Sequence, residues 1–296
     1  MKDALFLGID AGGTHCRARL VDAGGGVLGT GRGGAANLTL GVAKAHRTIL
    51  AASAQAFRDA GLGRAAMART HAGMGIAGVD DPARARRIAA ARFPFASITI
   101  RSDAETACLG AHGGADGGVL VLGTGSNGIV RRGRRFRRVS GGGFLLSDLG
   151  SGAVVGHAAA REVFAAHQGL IAASPFTRHI MRRFDNDPSK MLAWALAATP
   201  GRWAELAPLV FAYAAKADPI AGRLADAAVG DVVGLLDSMI ALGARRIALT
   251  GGLAEAYASR LPRRFARVLV PPQRDALAGA IDLARAAAAK RRRSRR

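Results

Sequence analysis

The chain is short of cysteine, aromatic residues, acids and long apolar runs, and each scarcity excludes something. Two cysteines in 296 residues, Cys16 and Cys108, stand far apart with no CxxC spacing, which excludes a disulfide framework and a cysteine zinc site. Reduced thiols fit a cytoplasmic protein. Aromatics are 5% of the residues, so a base-stacking surface is poorly supplied, although 42 Lys and Arg against 21 Asp and Glu give a formal charge of +21. Specific nucleic-acid recognition is not expected. The seven histidines show no HExxH or paired spacing, so none reads as a metal ligand. Asp3 and Asp10 bracket the first apolar run, which makes it too charged for a secretory signal, and no run reaches membrane-spanning length. A soluble protein with no membrane partner is expected.

Half of the residues are hydrophobic, enough for sizeable cores in a chain long enough for two domains. Leu5 to Ile9 reads as a strand, Cys16 to Asp22 as a second and "VLGTGRG" as a third, an antiparallel meander. Val42 to Ala60 repeats apolar residues at helical spacing and stops at Gly61. A strand into "GMGIAG", a basic helix from Pro82 to Arg92 and the strand "SITI" follow. This order is one α/β layer. The second half starts the same way: "VLVLGTGSNGIVRRGRRFRRVSGGG" again gives strand, Gly/Ser turn, strand, turn and strand, an approximate duplication of the first hairpin. Helical patterns dominate from Ser151 to about Ala241, with breaks at Pro175, Pro188, Pro200 and Pro219. "RRIALTGGLAE" gives a strand and a Gly-Gly turn, "RVLV" another strand and "DALAGAIDLARAAAA" a last helix. The terminal "KRRRSRR" has nothing apolar to bury and reads as a frayed, solvated tail, with non-specific polyanion binding as the alternative.

Two glycine-rich bends lie on the duplicated units, Gly12 to Thr14 and Gly123 to Gly128, and a third lies at Gly251–Gly252. Gly accepts positive φ, so such bends can turn several N–H groups to one point and bind an anion. Each alone reads equally as an ordinary turn. Asp103 stands at a strand-to-helix junction, "TIRSDAETA", where open α/β layers place ligands. Ser102 and Glu105 have capping-box spacing, so Asp103 also reads as a first-turn residue of a helix.

Six blocks in order, "GIDAGGTHCRARLVD", "GIAGV", "SDAETACLGA", "LVLGTGSNGIV", "GGGFLLSDLGSGAVVG" and "LTGGLAE", resemble the sugar-kinase/actin/chaperone ATPase superfamily. More narrowly they resemble the N-acetylglucosamine and glucosamine kinases grouped with BadF/BadG/BcrA/BcrD-type ATPases. The resemblance implies an α/β fold of two ribonuclease-H-like (actin-like ATPase) domains with a nucleotide cleft between them. The expected domains are residues 1–113 and 114–289, with the last helix packing back on the first domain and 290–296 as a basic tail. ATP and Mg²⁺ are the implied cofactors. Asp10 would hold Mg²⁺ through water; Gly12, Gly13 and Thr14 form the first phosphate loop, with Thr14 near the γ-phosphate. Gly123, Thr124, Gly125 and Ser126 form the second loop, and Gly251 and Gly252 lie against the adenosine. Asp103 is implied as the base that takes the proton of the sugar hydroxyl. Asn37, Asn127 and Asp148 match positions that touch the sugar, with turn readings for the two asparagines and a cap reading for Asp148.

The implied reaction is phosphorylation of glucosamine or N-acetylglucosamine at the 6-hydroxyl, with ATP and the amino sugar as partners and a homodimer left open. Two departures concern the sugar pocket. Where the family commonly reads Gly-Trp-Gly and Asp-Glu-Gly-Ser, this chain has Gly141-Gly142-Gly143 and Asp148-Leu149-Gly150-Ser151, which removes an apolar wall and a carboxylate. Two alternatives stand beside the kinase: a BadF-type ATPase that activates a partner enzyme, and a non-catalytic sugar-sensing or polyanion-binding protein. The activator would need clustered cysteines for an iron–sulfur centre.

Overall fold

Strand-length apolar runs alternate with helical ones in both halves of the chain, and each half builds its own sheet. The computed structural model describes residues 4–293. By contact density the chain divides into two units, Met1–Asp116 with Pro271–Arg296, and Gly117–Val270.

In the first unit, β1 (Leu5–Ala11), β2 (Cys16–Val21) and β3 (Val27–Gly33) form the antiparallel meander. α1 (Val42–Asp59) follows and stops as expected, with Gly61 at φ 67°. A short helix absent from the periodicity, α2 (Arg64–Ala68), leads into β4 (Thr70–Ile76). α3 (Pro82–Ala89) starts at its proline under an Asp81 cap and ends before Arg92. β5 (Ser97–Arg101) runs into α4 (Asp103–Ala111). The strand order is β3-β2-β1-β4-β5, with β1, β4 and β5 mutually parallel, so their carboxyl ends share one edge of the sheet.

In the second unit, β6 (Gly117–Leu122), β7 (Ser126–Arg132) and β8 (Arg135–Arg138) repeat the meander. Six helices intervene before the next strand, α5 (Gly152–His167), α6 (Pro175–Arg182), α7 (Pro188–Ala197), α8 (Pro200–Ala204), α9 (Ala207–Ala214) and α10 (Pro219–Ala241), and α11 (Ala254–Ala258) follows that strand, β9 (Ile247–Thr250). The order β8-β7-β6-β9, with β9 parallel to β6, copies the first sheet without its fifth strand. The four prolines that read as breaks are helix starts, where a missing N–H costs nothing. "RVLV" is not a strand. It contributes one isolated bridge, Leu269 to Ile247, because only that residue lines up beside β9 before the chain leaves the sheet.

α12 (Ala276–Arg293) brings the chain back onto the first unit, against α4, β1 and β4. The reading of a frayed tail needs correction up to Arg293. The helix continues through it, and Arg291 Nη1 donates to the Ala96 carbonyl at 2.9 Å; residues 294–296 lie outside the described part.

Glycine inside these strands is a packing requirement. α1 and α12 approach the sheet so closely that a Cβ at Gly31 would fall on the Ala52 carbonyl oxygen, and one at Gly73 on that of Ala280. Alanine-rich faces make the approach available. Gly31→Ala should therefore lower stability by about 1–3 kcal/mol, the usual cost of overpacking, read as a depressed melting temperature. An unchanged melt would mean that α1 shifts freely on β3.

Candidate active site

The first unit holds six of the expected residues, Asp10, Gly12, Gly13, Thr14, Asn37 and Asp103, with Asp10 and Asp103 at the carboxyl ends of β1 and β5. Asp10, near the end of β1, pairs in register with Arg17 on β2 and Gly75 on β4, and Gly75 pairs with Arg101 on β5. Arg17 donates to Asp10 Oδ2 from Nη2 at 2.6 Å and from Nε at 3.2 Å. The first hairpin is closed by Gly12 N–H donating to the His15 carbonyl at 2.9 Å, and it is tied to the next loop by Ala36 N–H donating to the Gly12 carbonyl at 3.0 Å. Gly13 and Thr14 are exposed. Neither Gly12 nor Gly13 has positive φ, and a Cβ on Gly13 would meet nothing within 4 Å. The bend is open backbone, and the positive-φ argument for it does not hold.

Asn37 caps a single 3-10 turn, Leu38–Leu40, its Oδ1 accepting from Thr39 N–H at 2.8 Å. It sits beside the loop after β4, where Leu38 N–H donates to the Ala77 carbonyl at 3.0 Å and Gly78 leaves room for Asn37 Oδ1. Its turn role is thus real. Asp103 opens α4. Ser102 and Glu105 close the capping box between themselves, Ser102 Oγ accepting from Glu105 N–H at 3.2 Å and Glu105 Oε2 from Ser102 N–H at 3.0 Å. The cap therefore does not use the Asp103 carboxylate, whose Oδ1 accepts from Ala104 N–H at 2.9 Å.

The second unit gathers the rest. Gly123 and Thr124 turn their carbonyls onto the start of α5, accepting from Gly152 N–H at 2.7 Å and Ala153 N–H at 3.1 Å. Ser126 is 2% exposed; its hydroxyl lies 3.1 Å from that of Ser140. Gly251, at φ 96°, follows β9, and any Cβ there would fall on the Leu122 backbone at the end of β6. That contact, with Leu253 N–H donating to the Leu122 carbonyl at 3.0 Å, seats Gly251 and Gly252 beside Gly123. A Cβ on Gly123 or Gly252 would meet no atom within 4 Å.

Asp148 lies against this loop. Gly125 is glycine because a Cβ would stand 2.7 Å from Asp148 Oδ2. Asp148 has φ 57°, is 8% exposed, and accepts from the N–H of Gly143 at 3.2 Å. The helix cap is Ser151, whose Oγ accepts from Val154 N–H at 3.2 Å, so the cap reading of Asp148 fails. Burial raises the Asp148 pKa above the ordinary carboxylate value, against the N–H groups of Gly143 and Ser126, which lower it. Asn127, opposite Val121 on β7, has a buried Oδ1 with no hydrogen-bond partner among the described residues. Gly141 packs on it; a Cβ there would be 2.7 Å from that oxygen.

The raised Asp148 pKa has a signed consequence. The folded protein holds the Asp148 proton to higher pH than the unfolded chain, so its contribution to stability is present at low pH and is lost as pH rises through the folded pKa. The melting temperature of Asp148→Asn minus that of the parent should therefore increase with pH across that window. A difference flat with pH would mean that the carboxyl titrates normally.

Three residues that brace the site escaped the sequence reading. Arg17 holds Asp10 across the hairpin, and only its spacing across the bend hinted at this. Tyr257 on α11 donates to the Gly150 carbonyl at 2.6 Å, and Asp231 on α10 accepts from Gly150 N–H. Both fix the turn after Asp148, and burial raises both pKa values. An acid inside the apolar α10 was the available signal.

Two duplicated meander sheets with glycine bends at the carboxyl ends of their parallel strands, Asp10 and Asp103 beside the first and Asp148 against the bend of the second, fit an ATPase class, and known proteins narrow it. The chain belongs to the BadF/BadG/BcrA/BcrD ATPase family, whose pattern matches residues 7–284. It is 36% identical over 279 residues to glucosamine kinase GspK of Vibrio cholerae, covering 94% of this chain and 95% of that protein. A solved structure from Chromobacterium violaceum, assigned as an N-acetylglucosamine kinase, is 35% identical with a TM-score of 0.90, over 96% of this chain and 100% of that one. A Streptomyces griseus ROK family glucokinase, solved with glucose and AMPPNP, shares the fold at 19% identity and a TM-score of 0.59, over 95% of this chain and 99% of that one.

Proposed function

We propose that the protein is an ATP-dependent amino-sugar kinase that phosphorylates glucosamine or N-acetylglucosamine at the 6-hydroxyl. The observation that carries this is the near-full-length identity of 36% to a glucosamine kinase, joined to a carboxylate, Asp103, that the helix cap does not use. In this reading Asp103 accepts the proton of the attacking hydroxyl as the oxygen reaches phosphorus. Asn37, Asn127 and Asp148 hydrogen-bond the sugar, the first through its amide beyond the bond its Oδ1 already makes. The bends Gly12, Gly13, Thr14 and Gly123, Thr124, Gly125, Ser126 border the phosphates, with the N–H groups of Gly13, Thr14, Thr124 and Gly125 toward phosphate oxygens and those of Gly12, Gly123 and Ser126 spent on shaping the loops, and Gly251 and Gly252 admit the adenosine because they carry no side chain.

Asp10 suits a nucleotide-borne Mg²⁺. Such ions keep most of their water and need only one or two protein carboxylates beside phosphate oxygens, and no group of three or more His, Cys, Asp or Glu suited to a metal exists among the described residues. With Oδ2 held by Arg17, Asp10 fits contact through water, and the ion would supply charge shielding of the phosphates.

The activator reading is disfavoured by the thiols. Cys16 is buried on β2 and Cys108 is buried on α4, and burial, with Asp10 nearby, pushes the Cys16 thiol up to about 12, the reverse of what an iron–sulfur ligand needs. ADP release measured against a panel of amino and neutral hexoses, with mass and NMR identification of the product, tests the proposal. Turnover that depends on an amino sugar and yields the 6-phosphate is expected. Steady ATP hydrolysis indifferent to every hexose would overturn it in favour of the activator.

A further inference from the structure

The charge excess finds no use in the reaction proposed above, and one part of it is built into a pocket away from the glycine bends. A cavity of about 580 Å³ opens beside the edge strand β5 in the first unit, bounded by Phe93, Phe95, Ile98 and Ala287, with Arg92 and Arg291 at its rim. This is within the size range of small-molecule sites. Among the described residues no carboxylate lines it. Its walls are fixed: His46 Nε2 lies 3.0 Å from the Arg92 carbonyl, the His46 ring meets Phe93 edge-on at 4.7 Å, and Phe93 and Phe95 lie nearly parallel, 6.3 Å apart. Ser97 Oγ sits 2.7 Å from His71 Nδ1, and Arg291 is anchored on Ala96. Burial, then Arg291, lowers the His71 pKa below the ordinary imidazole value.

We propose that this pocket is a binding site for a small organic anion that carries a flat ring, its ring against Phe93, Phe95 and Ile98 and its phosphate or carboxylate between Arg92 and Arg291. Guanidinium forks match a phosphate or carboxylate with two parallel hydrogen bonds, while apolar and aromatic walls fix the body of a ligand. Two guanidinium groups in the lining favour an anion over a neutral ring. The site is separate from the one described above: Ser97 and Ile98 stand at the amino end of β5, and Asp103 follows its carboxyl end, roughly 16 Å along a strand that rises about 3.3 Å per residue.

The probe is 1-naphthyl phosphate, titrated by fluorescence into the full chain saturated with AMPPNP and glucosamine, with 1-naphthol as the uncharged control. Arg92 and Arg291 are exposed, so the double variant Arg92→Ala, Arg291→Ala should fold as the parent does. It should bind 1-naphthyl phosphate about tenfold or more weakly, the scale of two lost charge-assisted bonds, with 1-naphthol unchanged. Ala287→Leu, which fills the floor, should weaken both probes. Equal binding of 1-naphthyl phosphate by the parent and the arginine variant would overturn the proposal, and so would loss of all probe binding when the nucleotide and sugar are present.

Discussion

Asp103→Asn should lower amino-sugar-dependent ATP turnover by roughly 10²–10⁴-fold, the usual loss when a general base is removed. Melting temperature should fall only slightly. The reason lies in the first turn of α4: Ser102 and Glu105 cap it reciprocally, and asparagine keeps the volume of aspartate and an oxygen for the Ala104 N–H. Loss of the negative charge at a helix start costs about 0.3–1 kcal/mol, visible in a melt but far below the kinetic effect. Nucleotide binding should survive, since the glycine bends carry the phosphates in the proposed arrangement. The two roles of Asp103 therefore separate: loss of kcat with intact stability assigns the base, whereas equal turnover in both proteins would leave Asp103 a helix-start residue only. Ser102→Ala is the complementary control. It should cost about 1 kcal/mol of stability by opening the cap, and activity only as far as Asp103 is displaced.

The strands, the duplication and the three glycine bends were legible because each rests on a local rule. Apolar runs of strand length, a glycine pair and a hydroxyl residue need no distant partner to be recognised. The capping box at Ser102 was readable for the same reason, and it formed. "RVLV" failed because strand pairing is a tertiary event: a run with strand composition found room for a single bridge beside β9. The prolines were legible as breaks because a proline is not tolerated inside a helix; each stands at the first turn of the next helix, after the preceding one has ended. Tail and last helix were divided at Lys290 by composition alone, yet an arginine run on an alanine-rich helix continues the helix and lays Arg291 on Ala96. Tyr257 gave no sequence signal, and Asp231 only that of an acid in an apolar helix, because both act on the Gly150 turn from more than eighty residues away. The positive-φ argument for Gly12 and Gly13 needed dihedral angles no sequence prints; of the residues it was applied to, Gly251 alone has positive φ.

Restoring the family's residues at the two departures, Gly142→Trp with Leu149→Glu, should lower the amino-sugar KM by about tenfold to a hundredfold while kcat rises far less. The expectation follows from what the positions now offer. Gly142 is exposed and its φ is not positive; a Cβ there would stand 3.0 Å from Ser147 Cβ, so the backbone accepts a side chain once Ser147 yields a few tenths of an ångström. Leu149 is 46% exposed, which leaves a carboxylate in its place hydrated when no sugar is bound. A hydrogen bond to a charged group contributes about 1.5–3 kcal/mol, and each 1.4 kcal/mol or so is tenfold in affinity; the ring adds apolar contact at about 25 cal/mol per Å² buried. Both gains are made equally with bound sugar and with the transition state, so they appear in KM and leave kcat nearly alone. The parent should accordingly show a high KM and little preference between glucosamine and N-acetylglucosamine, since the contacts that discriminate are the ones it lacks. Calorimetry on both proteins with both sugars measures this directly. Tight and selective binding of one amino sugar by the parent would overturn it, and would place the discrimination on the groups that remain, Asp148 and the unpaired oxygen of Asn127.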